Sequence, residues 1–299
     1  MRTTVTVVEV SPRDGLQNEP ELLATQEKLA LVQHAIDSGA RRIEVTSFVH
    51  PKLVPQMADA EAVCAGLPER DDVRFTGLVL NWKGYERACA TGRIDEVGMV
   101  VPATDTFGER NQGQRVADAV AEGRAILKHA REHGMRAQAT IAVAFGCPFE
   151  RDVPVERLCA IAAELAEEHP VEIGLADTIG VGVPSQVKSS FEALRRTLGT
   201  AMPLRAHFHN TRNTGIANAY AALEADVDFL DASIGGIGGC PFAPKASGNI
   251  ATEDLVYMLD RMNVRHGLGL ERLLEASHWL EGALGKPLPS MVGRAGGFP

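Results

Sequence analysis

The sequence has few cysteines, and the five that it contains are odd in number. No two of them form a Cys-x-x-Cys pair, so a disulfide framework is not expected. We expect free thiols instead, as in a reducing compartment. The cysteines are Cys64, Cys89, Cys147, Cys159 and Cys240.

Basic charge is also scarce, with 30 Lys and Arg residues against 39 Asp and Glu and a net charge of −9. No basic run interleaved with aromatic residues occurs, so nucleic acid is not an expected partner. An anionic substrate would have to meet local positive groups or a metal. No apolar run approaches the ~18 residues of a membrane span, and the N-terminal MRTTVTVVEV lacks a signal-segment pattern. We therefore expect a cytoplasmic protein without membrane contact.

What the sequence does contain is a regular alternation of β-branched runs and alanine-rich helical patterns. Such alternation is typical of parallel βαβ units, and eight of them predict a TIM (β/α)8 barrel. A doubly wound open sheet is the alternative, but no Gly-x-Gly-x-x-Gly turn follows the first run. The predicted strands cover residues 4–10, 41–48, 74–80, 96–101, 136–144, 171–176, 204–209 and 228–234. The clearest predicted helices cover residues 26–37, 115–132, 155–168 and 216–224.

The C-terminal region departs from this alternation. One more helix is predicted at 270–284, followed by the Pro- and Gly-rich KPLPSMVGRAGGFP. We interpret residues 1–299 as a single catalytic domain, with a barrel at about 4–265 and an extension at about 266–299 that packs beside it.

Polar residues crowd the predicted C-terminal ends of the strands, which open to one mouth in a TIM barrel. His207 and His209 lie two apart on the seventh strand and so point to the same side. With Asp14, after the first strand, they make a plausible site for Mg²⁺, Mn²⁺ or Zn²⁺. The alternative is that the two histidines form a hydrogen-bonded pair in the core.

Three further charged residues at this mouth each allow two interpretations. Glu44 and Asp177 are either acid–base groups or structural carboxylates that accept hydrogen bonds from nearby donors. Arg13 is either the salt-bridge partner of Asp14 or a donor that stabilises a developing oxyanion.

The glycine-rich loop at 235–249 follows the eighth strand and carries Cys240. A thiol on such a loop could close over a metal-bound substrate and exclude water. An incidental exposed cysteine is the alternative, and Cys147 is the competing thiol. Lys245 and Arg212, at the same mouth, could bind phosphate or carboxylate or could be surface charges.

Several stretches together resemble the 3-hydroxy-3-methylglutaryl-CoA lyase family, a group of TIM-barrel metallolyases. They are VEVSPRDGLQNE, IEVTSFVHPKLVPQM, FGCPFE, DTIGVGVP, HFHNT and GGIGGCPFAPKASGNIATEDLVYML, and the resemblance runs from Val5 to Leu259. It implies cleavage of a tertiary 3-hydroxyacyl-CoA to acetyl-CoA and a keto acid, which is acetoacetate for the type substrate. We also expect a homo-oligomer, a dimer or larger.

The resemblance also assigns roles to residues. It implies that Mg²⁺ or Mn²⁺ is held by Asp14, His207, His209 and Asn249. Arg13 would stabilise the enolate oxygen of the departing acetyl-CoA, and Cys240 would act as an acid–base group near it. His207 could also relay a proton. The acidic residues that would support the site are Glu44, Asp177 and Glu253.

Three positions depart from the family pattern, namely Asn210, Gly174 and Gln138. The metal set is intact, so the departures bear on the acyl group that fits the pocket. 3-Hydroxy-3-methylglutaryl-CoA is the first candidate substrate, and citramalyl-CoA or a longer-branched analogue is the second. Condensation by a synthase and a barrel that binds without catalysis are further alternatives. A synthase is disfavoured because we see no long C-terminal regulatory domain in this sequence. A barrel that binds without catalysis is disfavoured because the full set of site residues is present.

Overall fold

Eight parallel strands close into a barrel in the computed structural model, which describes residues 2–239 and 248–298. Each strand pairs with the next, and β1 pairs with β8 to close the cylinder. The TIM barrel is therefore confirmed, and the open doubly wound sheet is excluded. The strands are β1 Thr6–Glu9, β2 Arg42–Ser47, β3 Arg74–Val79, β4 Glu96–Pro102, β5 Arg136–Ala142, β6 Ile173–Asp177, β7 Leu204–Phe208 and β8 Phe229–Ala232.

Helices surround the barrel and bury one face against it. In α5, for example, Ala119, Gly123, Ile126 and Ala130 recur at three- and four-residue spacing and are all buried. The helices are α1 Thr25–Asp37, α2 Ala60–Gly66, α3 Trp82–Ala90, α4 Asp105–Gln112, α5 Val116–Glu132, α6 Val155–Ala166, α7 Pro184–Leu198, α8 Gly215–Glu224, α9 Thr252–Arg261, α10 Leu270–Leu284 and α11 Met291–Ala295. The five helices predicted by residue range are all present, within two residues at each end. No helix in residues 2–239 and 248–298 has the length and apolar composition that crossing a membrane requires.

The seventh strand shows how the barrel separates its two faces. Leu204, Ala206 and Phe208 belong to the apolar core. Arg205 and His207 alternate with them and line a cavity inside the barrel. The interior at this level is therefore polar, although every residue of the strand is buried.

The C-terminal extension packs against the barrel, as predicted, through α10 and the segment that follows it. The rings of Trp279 in α10 and His34 in α1 lie 4.8 Å apart between centroids. Further along, Ser290 N donates to Gly235 O over 3.1 Å. Leu288 packs so closely against Gly235 that a Cβ on this glycine would lie 2.2 Å from Leu288 Cδ1. The extension thus supports the start of the glycine-rich loop.

Candidate metal centre and active site

A short turn of π-helix, Ser11–Gly15, begins the site directly after β1. Pro12 occupies the first turn of this segment, where its missing N–H costs nothing. A Cβ at Gly15 would lie 2.7 Å from Ser233 Oγ and 2.8 Å from Ile237 Cγ1, so only glycine fits there. The close packing brings Arg13 and Asp14 to the C-terminal mouth of the barrel, where both line the cavity.

The structure brings Asp14, His207 and His209 together as the sequence predicts. Their ligand atoms lie within 4.8 Å of one another. Asp14 Oδ2 is 3.8 Å from His207 Nε2 and 3.5 Å from His209 Nε2. Two imidazole nitrogens and a carboxylate form a donor set that suits several divalent cations.

Unpaired polar atoms show that this cluster fits a cation. Both ring nitrogens of His209 and Oδ1 of Asn249 are buried and lack hydrogen-bond partners among residues 2–239 and 248–298. Buried polar groups are nearly always paired, so such a set is typical of a site that a ligand completes. This favours a ligand site over a hydrogen-bonded core pair for the two histidines.

Asn249 lies beside the triad because it forms an antiparallel bridge with His209. Its Nδ2 donates to Asp14 Oδ2 over 2.8 Å and to Ile237 O over 3.1 Å. The amide nitrogen therefore faces the triad in this arrangement. A rotation of the amide by half a turn would present Oδ1 as the fourth ligand.

Electrostatics keep Asp14 ionised. Burial alone would raise the pKa of this carboxyl, but Arg13 and the two histidines hold the pKa well below its usual range. Burial opposes the charged form of His207, yet a hydrogen bond with Asp231 and the nearby Asp14 raise its pKa overall. His207 Nδ1 lies 3.0 Å from Asp231 Oδ2. With Nδ1 donating to that carboxylate, Nε2 remains free to face Asp14 and a cation.

Arg13 takes part in both interpretations that the sequence left open. Its Nη1 donates to Asp14 Oδ1 over 2.5 Å, and its Nε donates to Glu44. It is thus a salt-bridge partner of Asp14. The guanidinium also lines the cavity next to the triad, where it could stabilise a developing oxyanion.

The three predicted carboxylates occupy different places. Glu44 pairs with Arg13 and lines the cavity. Asp177 accepts hydrogen bonds from Val181 N and Gly182 N, each over 2.9 Å, and so anchors the loop after β6. Burial raises its pKa. Glu253 accepts from Gly235 N over 3.1 Å, and burial raises its pKa too. These bonds support a structural role for Asp177 and Glu253, whereas Glu44 lines the cavity.

The remaining candidates are two cysteines and two basic residues, and the structure describes one of each. Cys147 is buried, and its Sγ accepts a hydrogen bond from the Thr104 hydroxyl over 3.1 Å. Arg212 donates to Ile179 O and Gly180 O, which favours a structural role for this arginine. Cys240 and Lys245 lie outside the described residues.

Sequence reasoning missed Arg205 and Asp231, which lie at the floor of the cavity. Asp231 bonds His207, and Arg205 bonds Asp231. A signal was available, because Arg205 shares the side of β7 on which the two histidines lie. Asp231 gives a weaker signal, as a lone acidic residue in an otherwise apolar strand.

The cavity has a volume of about 430 Å³ and reaches from the mouth to this floor. The departures at Gly174 and Gln138 affect its interior. A Cβ at Gly174 would lie 2.8 Å from Thr140 Oγ1, and one at Gly98 would lie 2.5 Å from Gln138 Nε2. Gln138 and Thr140 line the cavity and share a hydrogen bond of 3.1 Å. The third departure, Asn210, accepts a hydrogen bond from Gly215 N at the start of α8.

The fold and the site together define a TIM-barrel enzyme with a candidate divalent-metal centre at its C-terminal mouth. Comparison with known proteins defines the family. The family model described as HMGL-like matches residues 4–280. An (R)-citramalyl-CoA lyase of Chloroflexus aurantiacus is 44% identical, over 98% of this chain and 95% of the relative. A hydroxymethylglutaryl-CoA lyase of Bacillus subtilis is 40% identical, over 96% of this chain and 95% of the relative.

Solved structures agree with these relatives. The hydroxymethylglutaryl-CoA lyase of Pseudomonas aeruginosa superposes with a TM-score of 0.94 at 36% identity, over 99% of this chain and 98% of that one. An HMG-CoA lyase of Acinetobacter baumannii in complex with coenzyme A and 3-methylmalate superposes with a TM-score of 0.93 at 36% identity, over 98% and 95%. The chain belongs to the HMGL-like family and is a carbon–carbon lyase of the hydroxymethylglutaryl-CoA lyase type.

Proposed function

We propose that the protein cleaves a tertiary 3-hydroxyacyl-CoA, with 3-hydroxy-3-methylglutaryl-CoA as the first candidate, to acetyl-CoA and a keto acid. The observation that carries the proposal is one cavity holding both the Asp14–His207–His209 cluster and Arg13. The bond that breaks joins the carbinol carbon to the carbon beside the thioester. The carbinol end of this bond needs a cation near its hydroxyl, and the thioester end needs a guanidinium near its oxygen.

Each step has a residue suited to it. The Cys240 thiolate takes the proton of the substrate hydroxyl, the carbon–carbon bond breaks, and the electron pair moves onto the thioester as an enolate. Arg13, fixed by Asp14 and Glu44, stabilises charge on the enolate oxygen. Cys240 then donates the proton that converts the enolate into the acetyl group. A divalent cation held by Asp14, His207, His209 and Asn249 would lower the pKa of the substrate hydroxyl.

A second substrate is favoured by a specific observation, the 44% identity to an (R)-citramalyl-CoA lyase. Citramalyl-CoA has one methylene fewer between its carbinol carbon and its free carboxylate, and its keto acid product is pyruvate. One methylene in a pocket changes specificity by only about 10–200-fold. The cavity must therefore be tested with both compounds, and with a longer-branched one. A lyase of Pseudomonas aeruginosa named for 3-hydroxy-3-isohexenylglutaryl-CoA is 36% identical over 97% of this chain and 96% of the relative.

The experiment is an assay of acetyl-CoA release from these three substrates by the purified protein with Mg²⁺ or Mn²⁺. We expect the highest kcat/KM with 3-hydroxy-3-methylglutaryl-CoA, as leucine breakdown would require. A higher value with citramalyl-CoA would reassign the substrate within the same chemistry. No acetyl-CoA from any of them would contradict the proposed function.

We further propose that residues 1–299 act as a single catalytic domain in a cytoplasmic homo-oligomer, a dimer or larger. Cys64 and Cys147 are buried and form no disulfide bond, which supports a reducing compartment. Light scattering after gel filtration tests the assembly, and a monomer at all concentrations would contradict that part.

A further inference from the structure

We propose that Arg205 is a positioning residue that holds the two halves of the site in place. One half contains His207 and is reached through Asp231. The other half contains Arg13 and is reached through Glu44. Arg205 itself lies on β7 at the cavity floor, with 2% of its surface exposed.

The bond to the histidine half is a two-point ion pair. Arg205 Nε donates to Asp231 Oδ1 over 2.6 Å, and its Nη2 donates to Oδ2 over 3.0 Å. Asp231 Oδ2 also lies 3.0 Å from His207 Nδ1. Because the guanidinium fixes the carboxylate at two points, it fixes the direction in which His207 turns its Nε2.

The bond to the arginine half uses the same nitrogen. Arg205 Nη2 lies 3.4 Å from Glu44 Oε2, while the other oxygen of Glu44 accepts from Arg13. Arg13 continues to Asp14, whose Oδ2 lies 3.8 Å from His207 Nε2. The contacts therefore form a closed ring of six residues that includes Asp14 and His207, two of the three candidate metal ligands.

Only an arginine can make these contacts together. A lysine ammonium keeps the positive charge, but it is a point donor and cannot form a planar two-point pair with Asp231 while also reaching Glu44. The third contact of Arg205, 3.4 Å from Nη1 to Glu172, fixes the guanidinium from below. Since its contacts are with carboxylates, Arg205 acts through Asp231 and Glu44.

Arg42 provides a matched control. It is also a buried arginine of the barrel interior, 5% exposed, and it pairs with Glu172 and Glu96 one layer deeper. Neither of those partners contacts Arg13 or a residue of the metal cluster. Glu172 also contacts Arg205, so substitutions at Arg42 test whether disturbing this shared carboxylate is enough to affect the site. Only substitutions at Arg205 remove the contacts with Asp231 and Glu44.

The experiment compares R205K and R205M with R42K and R42M in the full chain. Mn²⁺ affinity is measured by calorimetry on chelated protein, together with kcat, KM and melting temperature. We expect both Arg205 variants to bind Mn²⁺ about 10–100-fold more weakly, as for other residues that orient metal ligands. Their kcat should fall by a similar factor with a smaller change in KM. The Arg42 variants should lose thermal stability but keep the Mn²⁺ affinity within about twofold.

R205K decides the matter if R205M does not fold, because it keeps the charge. Normal Mn²⁺ affinity and kcat in R205K would overturn the inference. So would tighter Mn²⁺ binding by R205M, because that result would mean that Arg205 acts only as a repelling charge. The kinetic measurement rests on the proposed function, whereas Mn²⁺ binding does not. A wild type inactive on every substrate would therefore refute the function, while weaker Mn²⁺ binding confined to the Arg205 variants would still support the positioning role.

Discussion

The floor and the mouth of the barrel are both charged and buried, but they treat their polar groups differently. In the layer below the cavity floor, Arg42 pairs with Glu96 and Glu172, and Glu172 also pairs with Arg205 at the floor itself. At the mouth, the ring nitrogens of His209 and Oδ1 of Asn249 have no hydrogen-bond partner in the described part of the chain. The carboxylates of the lower layer are paired with arginines, although Arg42 Nε has no hydrogen-bond partner in the described part of the chain. The unpaired atoms of the mouth differ in kind, because imidazole nitrogens and an amide oxygen can bind a metal.

Unpaired buried groups cost free energy, which limits where a fold can keep them. A buried polar group without a partner costs about 1–3 kcal/mol. A fold can tolerate that cost where a bound ligand will offset it. Buried charge alone therefore does not mark a functional site, since structural ion pairs are also buried. What distinguishes the mouth is that its unpaired histidine lies beside a carboxylate and a second histidine in a cavity.

The largest effect expected at the mouth follows the removal of an unpaired ligand. In H209A we expect no measurable turnover and a large loss of Mn²⁺ affinity, because one of three converging donors is gone. The melting temperature should change little, since the ring nitrogens of His209 have no hydrogen-bond partner in the described part of the chain and its contact with Asp14 is long, at 3.5 Å. Kinetics, calorimetry and thermal melting provide these readouts.

His266 is the matched control, because it is a histidine whose side chain is only 4% exposed and which pairs with Asp260 away from the cavity. H266A should keep its Mn²⁺ affinity and turnover. Equal Mn²⁺ affinity in wild type and H209A would mean that His209 is not a metal ligand and that its unpaired nitrogens do not mark a metal site.

The next largest effect concerns Cys240. Serine keeps the size of the side chain but raises its pKa far above the ~8.5 of a free thiol. We expect kcat of C240S to fall by about 10²–10⁴, the usual contribution of a general acid–base group. Metal content and melting temperature should stay close to wild type. C147S should act only through packing, because Cys147 is buried against Thr104. A normal C240S with an inactive C147S would show that the other thiol is the catalytic one.

A somewhat smaller effect is expected from R13M, which keeps most of the apolar stem and removes the guanidinium. Loss of one oxyanion donor costs about 2.7–4 kcal/mol in the barrier, so kcat should fall by about 10²–10³ with a modest change in KM. R212M is the control, since Arg212 bonds backbone carbonyls at the same mouth. If R13M changes KM alone, Arg13 only binds the substrate.

The last expected effect is on the free energy of unfolding rather than on turnover, and it concerns Glu9. Burial raises the pKa of Glu9 to about 7. The hydrogen bonds that Glu9 accepts from Thr252, Ser11 and Ile234 lower the pKa, but by less than burial raises it. Because the folded state retains the proton, this contribution to stability is complete below about pH 4.5 and is lost as the pH rises through 7. Relative to E9Q, which does not titrate at this position, the wild type should lose about 3 kcal/mol over that interval. Denaturant unfolding from pH 4.5 to 8 measures the difference, and parallel curves would mean that Glu9 is ionised throughout.

Much of the fold could be predicted from the sequence, because each strand and helix has its own local pattern. All eight strands were found, with errors only at their ends. The first strand was predicted at residues 4–10, but it ends at Glu9 because Val10 already caps the Ser11–Gly15 turn. The eighth, residues 228–234, ends at Ala232 because Ile234–Gly236 forms a 3-10 turn in which Gly235 has a φ of 73°.

The triad was also predictable, because strand ends of a parallel barrel converge and histidines two apart share a side. The hydrogen-bond partners of Asp177 and Arg205 were not. Asp177 is an anchor because of backbone N–H groups four and five residues further along the chain. Arg205 reaches Glu44 across the barrel, 161 residues away in sequence. Such contacts depend on how the barrel closes, which no local pattern specifies.

The most direct test of the metal centre is a parallel measurement of Mn²⁺ binding and turnover on protein first stripped with a chelator. We expect no turnover in the stripped protein. Turnover should then return in proportion to one Mn²⁺ bound per chain, and the binding should be lost in H209A. Full turnover by the metal-free protein would contradict this expectation.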